Sequence, residues 1–214
     1  MQPSVTPEQR LERVEKLRTE PYSGDLVDLI PYSPEYAQAT IDLRNTDRAK
    51  FFLTQHDDLT LEDQQRWYET VYLLRNNDIQ WLVADKKGEI VGTNALYDID
   101  IEGGDSGEKG RQVIREEVAM LGPYALEADY IACRLAFDEL GLRRVIACFR
   151  EDNVKVASMN KRMGFEYFET RELRGQPLLY HHCTREQFQD AFLKGIIDHW
   201  KSRQLRERER EAGA

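Results

Sequence analysis

Apolar residues at Leu126, Tyr130, Cys133, Phe137 and Leu140 recur at spacings of 4, 3, 4 and 3, the period of a helix with one buried face. Gly122 and Pro123 stand just ahead of them, so a loop opens this helix with proline at its first position, where a missing N–H costs nothing. The other N–H groups of that turn have no partner inside the helix and, with the helix dipole, favour an anion. Upstream, Thr6-Pro7 starts and Pro21 and Gly24 end an amphipathic helix over 6–19 carrying Leu11, Val14 and Leu17. Leu26–Ile30 reads as a first strand, Ser33–Leu43 as a short helix, and 61–75 as a helix with Trp67, Tyr68, Val71 and Leu74 in period.

Gln80–Ala84 and Glu89–Tyr97 are β-prone runs joined by a turn at Lys87-Gly88, which predicts an antiparallel hairpin. After an acidic loop over 98–107, strands at Glu108–Ile114 and Arg144–Phe149 enclose the 125–140 helix, a βαβ unit that crosses over right-handedly. Asn153, Val154, Met159 and Met163 carry a short helix stopped by Gly164, and strands at 165–169 and 178–182 flank Gly175. From Thr184 a last helix is expected, with Phe188, Phe192, Ile196, Ile197 and Trp200 on one face, ending in a solvated charged tail over 201–211. That stripe is too apolar for water, so it packs on the domain or on a second copy; a homodimer is the expectation.

The 214 residues, 41% hydrophobic, suit one generous domain with appendages. A formal net charge of -9 argues against nucleic acid as a partner, since that binding relies on clustered Lys and Arg. The absence of a long apolar run or an apolar leader points to a soluble cytoplasmic protein with no membrane partner. Cys133, Cys148 and Cys183 lack metal-type spacing and read as reduced thiols, so no metal is expected.

The order of elements, with Asn153-Val-Lys-Val-Ala-Ser-Met-Asn-Lys-Arg-Met-Gly-Phe165 as an Asn…Gly-Phe segment, resembles the GCN5-related N-acetyltransferase (GNAT) superfamily over roughly residues 26–182. Arg44-Asn45, the Leu61–Tyr68 helix and Ile90–Tyr97 are similar to the subgroup that acetylates amino groups of nucleotide-linked deoxysugars. The resemblance implies an α+β or α/β fold with a mixed, strongly twisted central sheet and flanking helices. It divides the chain into a helical extension over 1–24, a GNAT-like domain over 25–183 and a C-terminal helix and tail over 184–214. It further implies acetyl-CoA as cosubstrate, its pyrophosphate on the loop before the 125–140 helix. The contacts would come from Val113, Ile114, Gly122, Tyr124, Ala125, Leu126, Asn153, Ser158 and Lys161. The family's loop reads Gln or Arg, two residues, Gly, one residue, then Gly or Ala; those positions here are Met120, Pro123 and Ala125.

Amine acetylation needs a neutral amine, donors for the oxyanion and a proton for the leaving thiolate. The resemblance makes Glu108 the base, directly or through a water, and puts Asn160 where many members carry a tyrosine acid; Asn160 can donate a hydrogen bond but no proton. It assigns the acceptor wall to Arg44, Asn45, His56, Trp67 and Tyr68, with Tyr97 beside them: an arginine can pair with a diphosphate and an aromatic can stack on a base or sugar. Three readings stand: transfer to a nucleotide-linked amino sugar, transfer to a protein N-terminus or small amine, and a noncatalytic member that binds a ligand or partner.

Overall fold

A computed structural model describes residues 5–55, 57–173 and 175–212. Among these, eight strands form one sheet in the order β1-β2-β3-β4-β5-β6-β8-β7. They are β1 (Tyr22–Ser23), β2 (Val27–Pro31), β3 (Ile79–Asp85), β4 (Ile90–Tyr97), β5 (Ser106–Ile114), β6 (Arg144–Arg150), β7 (Glu166–Leu173) and β8 (Gln176–Thr184). Every neighbouring pair is antiparallel except β5 and β6, and that pair is joined by the βαβ crossover which the sequence pattern predicts. β5 begins at Ser106, so the acidic loop is shorter than expected: Asp100 organises it by accepting the N–H groups of Gly103 and Asp105.

The helices are α1 (Pro7–Leu17), α2 (Ala37–Arg44), α3 (Asp47–Phe52), α4 (Leu61–Trp67), α5 (Glu116–Ala119), α6 (Tyr124–Arg134), α7 (Val154–Met163) and α8 (Asp190–Ala212). Thr6 and Thr60 each close a capping box on α1 and α4. Both α4 and α6 run on into a π-helical turn, over Tyr68–Tyr72 and Leu135–Glu139. Gly164 ends α7 in the left-handed conformation that glycine tolerates best.

One core packs α1, α6 and α8 against the sheet through Val14, Leu17, Trp81, Leu96, Ile131, Phe137, Leu193 and Ile197. Buried backbone is paired across long separations: Trp81 Nε1 donates to Leu17 O at 3.1 Å, and the buried Arg10 Nε to Leu140 O at 2.9 Å. The carboxylate of Glu127 accepts the N–H groups of Asp25, Leu26 and Val27 at 2.7, 2.7 and 2.8 Å, fastening the entry of β2 to the first turns of α6.

Two expectations about the last helix are corrected. It starts at Asp190 rather than Thr184, because Thr184 and Gln187 bond each other's side chains and backbone in a separate turn. That start also resets which residues face inward. Leu193 is 0% exposed while Phe192 is 55% exposed, so Phe192 leaves the apolar face and Leu193 joins Ile197 and Trp200 on it. No helix among the described residues is long and apolar enough to cross a membrane.

Candidate active site

The parallel pairing of β5 with β6 lasts only from Ser106↔Arg144 to Lys109↔Ala147. Beyond it β5 continues to Ile114 on β4, and β6 to Arg150 on β8, so a wedge opens between two unpaired backbone edges. The cause lies in β5. Thr93 faces Val113 and Ala95 faces Gly110, leaving Arg111 and Gln112 opposite Asn94 alone, a bulge with Arg111 at φ 50°. Thr93 Oγ1 closes it by donating to Arg111 O at 2.7 Å.

Glu108 lies just before this divergence and accepts a 2.5 Å hydrogen bond from the Tyr97 hydroxyl. Burial raises the Glu108 pKa above the ordinary carboxylate range, and the Tyr97 bond partly offsets the rise. Burial likewise raises Tyr97, with Glu108 adding to it, so the phenol stays protonated. Arg111 stacks 4.3 Å from the Tyr97 ring and reaches Asp78 with two 2.8 Å bonds, one to each carboxylate oxygen. Sequence reading passed over Arg111 and Asp78, since their 33-residue separation and the bulge leave no periodic signal.

Arg44 ends α2, half-buried, and its Nε finds no hydrogen-bond partner among the described residues. Burial and then the neighbouring Arg111 lower its pKa. The two arginines share a narrow cavity with Tyr32, Thr40, Gln64 and Trp67. Trp67 and Tyr68 join Tyr32 and Tyr72 in an aromatic cluster with centroid separations of 5.1–6.2 Å. Asn45 caps α2 and holds the loop ahead of α4, exchanging bonds with Leu59 N and O at 2.8 and 2.9 Å. His56 lies outside the described residues.

At the far end of β5, Val113 and Ile114 line a cavity of about 320 Å³ together with Ala39, Leu43 and Thr46. Pro123 proves to be the N-cap of α6, one position earlier than expected, because its ψ of 43° is not helical. The first helical bond runs from Glu127 N to Pro123 O, so the N–H groups of Tyr124, Ala125 and Leu126 precede the ladder. The Leu126 side chain itself is core. Met120, 77% exposed, carries no charge to this end. Asn153 caps α7 by accepting Val156 N at 3.3 Å, while Ser158 and Lys161 are exposed on that helix. Asn160 is fully enclosed, with both amide atoms lacking partners among the described residues.

Cys148 is the first β6 residue past the last β5 partner. Burial pushes its thiol up to about 11, so it is protonated at neutral pH and unsuited to nucleophilic attack. No group of three or more His, Cys, Asp or Glu able to hold a metal occurs among the described residues.

A family model described as an acetyltransferase (GNAT) domain matches residues 27–166. Among solved structures, a GCN5-related N-acetyltransferase from Brucella melitensis aligns with a TM-score of 0.66 at 18% identity, over 86% of this chain and 84% of that one. Spermidine N-acetyltransferase from Vibrio cholerae, in complex with CoA and spermine, aligns at 0.68 and 15%, over 77% and 98%. Apo FdhC, described as a nucleotide-linked sugar GNAT, aligns at 0.68 and 17%, over 85% and 97%. At such identities the likeness establishes the fold alone. No curated protein matches the chain.

Proposed function

For a chain that belongs to the acetyltransferase (GNAT) family, we propose acetyl-CoA-dependent transfer to the primary amine of a nucleotide-linked amino sugar, with Glu108 as base. One observation carries the chemistry: a half-buried carboxylate of raised pKa, bonded to Tyr97, at the point where β5 and β6 part. The donor fits the start of α6, where three N–H groups point past the helix end and suit a pyrophosphate. Acetyl-CoA supplies an activated thioester when bound. Glu108, directly or through a water, takes the proton that the amine loses as its nitrogen bonds to the acetyl carbon and the C–S bond breaks; the thiolate then takes a proton from solvent. Tyr97 orients Glu108, and the bidentate Asp78 contact orients Arg111.

The acceptor reading rests on Arg44 and Arg111 beside the aromatic cluster, which suit an anionic, ring-bearing substrate, and on the likeness to FdhC. A small-amine acceptor is the second reading, motivated by the spermidine enzyme; Arg44 opposes a polyamine, the charge of Arg111 being matched by Asp78. A homodimer in the cytoplasm belongs to the proposal too: Phe192 and Leu205 leave apolar surface on α8, and a single-copy mass in solution would overturn the pairing.

Titration calorimetry with acetyl-CoA tests the donor. Micromolar binding is expected, and Met120→Arg should tighten it about fivefold, roughly 1 kcal/mol, by adding a cation at the phosphate end. Failure of the native chain to bind while Met120→Arg binds would make the noncatalytic reading lead.

A further inference from the structure

Asp129, on α6, is 1% exposed and yet receives three side chains from the sheet. Lys109 pairs with it as an ion pair, Gln112 Nε2 donates to its Oδ1 at 2.7 Å, and Asn94 Nδ2 donates to the same oxygen at 3.1 Å. Gln112 Nε2 also reaches Ala125 O, in the first turn of α6, at 2.9 Å. These three partners mark the site's geometry. Lys109 is the last β5 residue paired with β6, and Gln112 and Asn94 are residues facing each other across the bulge. One carboxylate thus gathers both strands of the bulge, the point of divergence and the start of the helix at the donor end.

We infer that Asp129 is a positioning residue: it holds the β4–β5 bulge in register with α6, and thereby fixes the wedge and the aim of Arg111. A buried ion pair contributes little stability against an apolar replacement of similar size. Removing both charges therefore separates a geometric role from a stabilising one.

The test compares Lys109→Met/Asp129→Leu, which removes the acceptor of both amides, with Lys109→Met/Asp129→Asn, which keeps an oxygen there without charge. Thermal unfolding, amide hydrogen exchange over 93–95 and 110–113, and calorimetry with acetyl-CoA are read on each. In the leucine variant the melting temperature is expected to fall by several degrees, because Asn94 Nδ2 loses its acceptor and Gln112 Nε2 keeps only Ala125 O, while bulge exchange rises about tenfold more than exchange elsewhere in the sheet and acetyl-CoA affinity falls about tenfold. The asparagine variant should recover most of both losses. Native-like exchange and binding in both variants, or equal losses in both, would overturn the inference. The acetyl-CoA arm rests on the proposed function; if the native chain binds no acetyl-CoA, that reading fails and the exchange arm alone decides this one.

Discussion

Glu108→Gln is expected to lower acetyl transfer by about 10²–10⁴-fold while leaving acetyl-CoA affinity within about twofold of native. The substitution preserves size and can still accept the Tyr97 hydroxyl bond, so what it removes is the capacity to take a proton. Its pH dependence is equally specific. Because burial raises the Glu108 pKa, the native enzyme should lose activity as pH falls through a value above the usual carboxylate range. That acid limb should vanish from the residual rate of the variant. Stability should move the other way: a carboxyl whose pKa is higher in the fold binds its proton more readily there, so its contribution is complete below the ordinary value and is lost as pH rises through the raised one. Glu108→Gln is thus expected to melt no lower than native near pH 8. An unchanged rate with an intact acid limb would remove Glu108 from the mechanism.

The largest stability effect is expected at Glu127. Replacing it with glutamine turns one acceptor oxygen into a donor facing the N–H groups of Asp25, Leu26 and Val27, at constant size and 2% exposure. Leaving buried donors unsatisfied costs about 3 kcal/mol here, a fall in melting temperature of roughly 6–12 °C for a chain of this length. Urea unfolding followed by circular dichroism checks it; a shift below about 1 kcal/mol would show that these N–H groups find water or another partner.

The architecture was readable where local periodicity decides it. The 4-3-4-3 spacing after Gly122 gave α6, Lys87-Gly88 gave the β3–β4 turn, and Gly164 gave the end of α7. The site was readable only in part. Glu108 and Tyr97 were singled out separately, and the structure joins them in one hydrogen bond. Lys109, to which the sequence pattern assigns no role, is 5% exposed and paired with Asp129 twenty residues away. The bulge explains why: Lys109 and Gln112 both reach Asp129 although strict alternation would put residues three apart on opposite faces. Likewise the choice of Leu193 over Phe192 depends on where α8 starts, and the Thr184–Gln187 turn that sets this start is a pair of side-chain bonds with no periodic trace.

The salt bridges from Asp25 to Lys194 and Lys201 span 169 and 176 residues. During synthesis at about 5–20 residues per second, Lys201 is added roughly 9–35 s after Asp25. Between the completion of α6 at Arg134 and the addition of Ile197, roughly 3–13 s at that rate, the faces of α6 and the sheet lack the cover that Leu193 and Ile197 supply. The nascent chain therefore carries an incompletely covered core for seconds, until α8 closes over it.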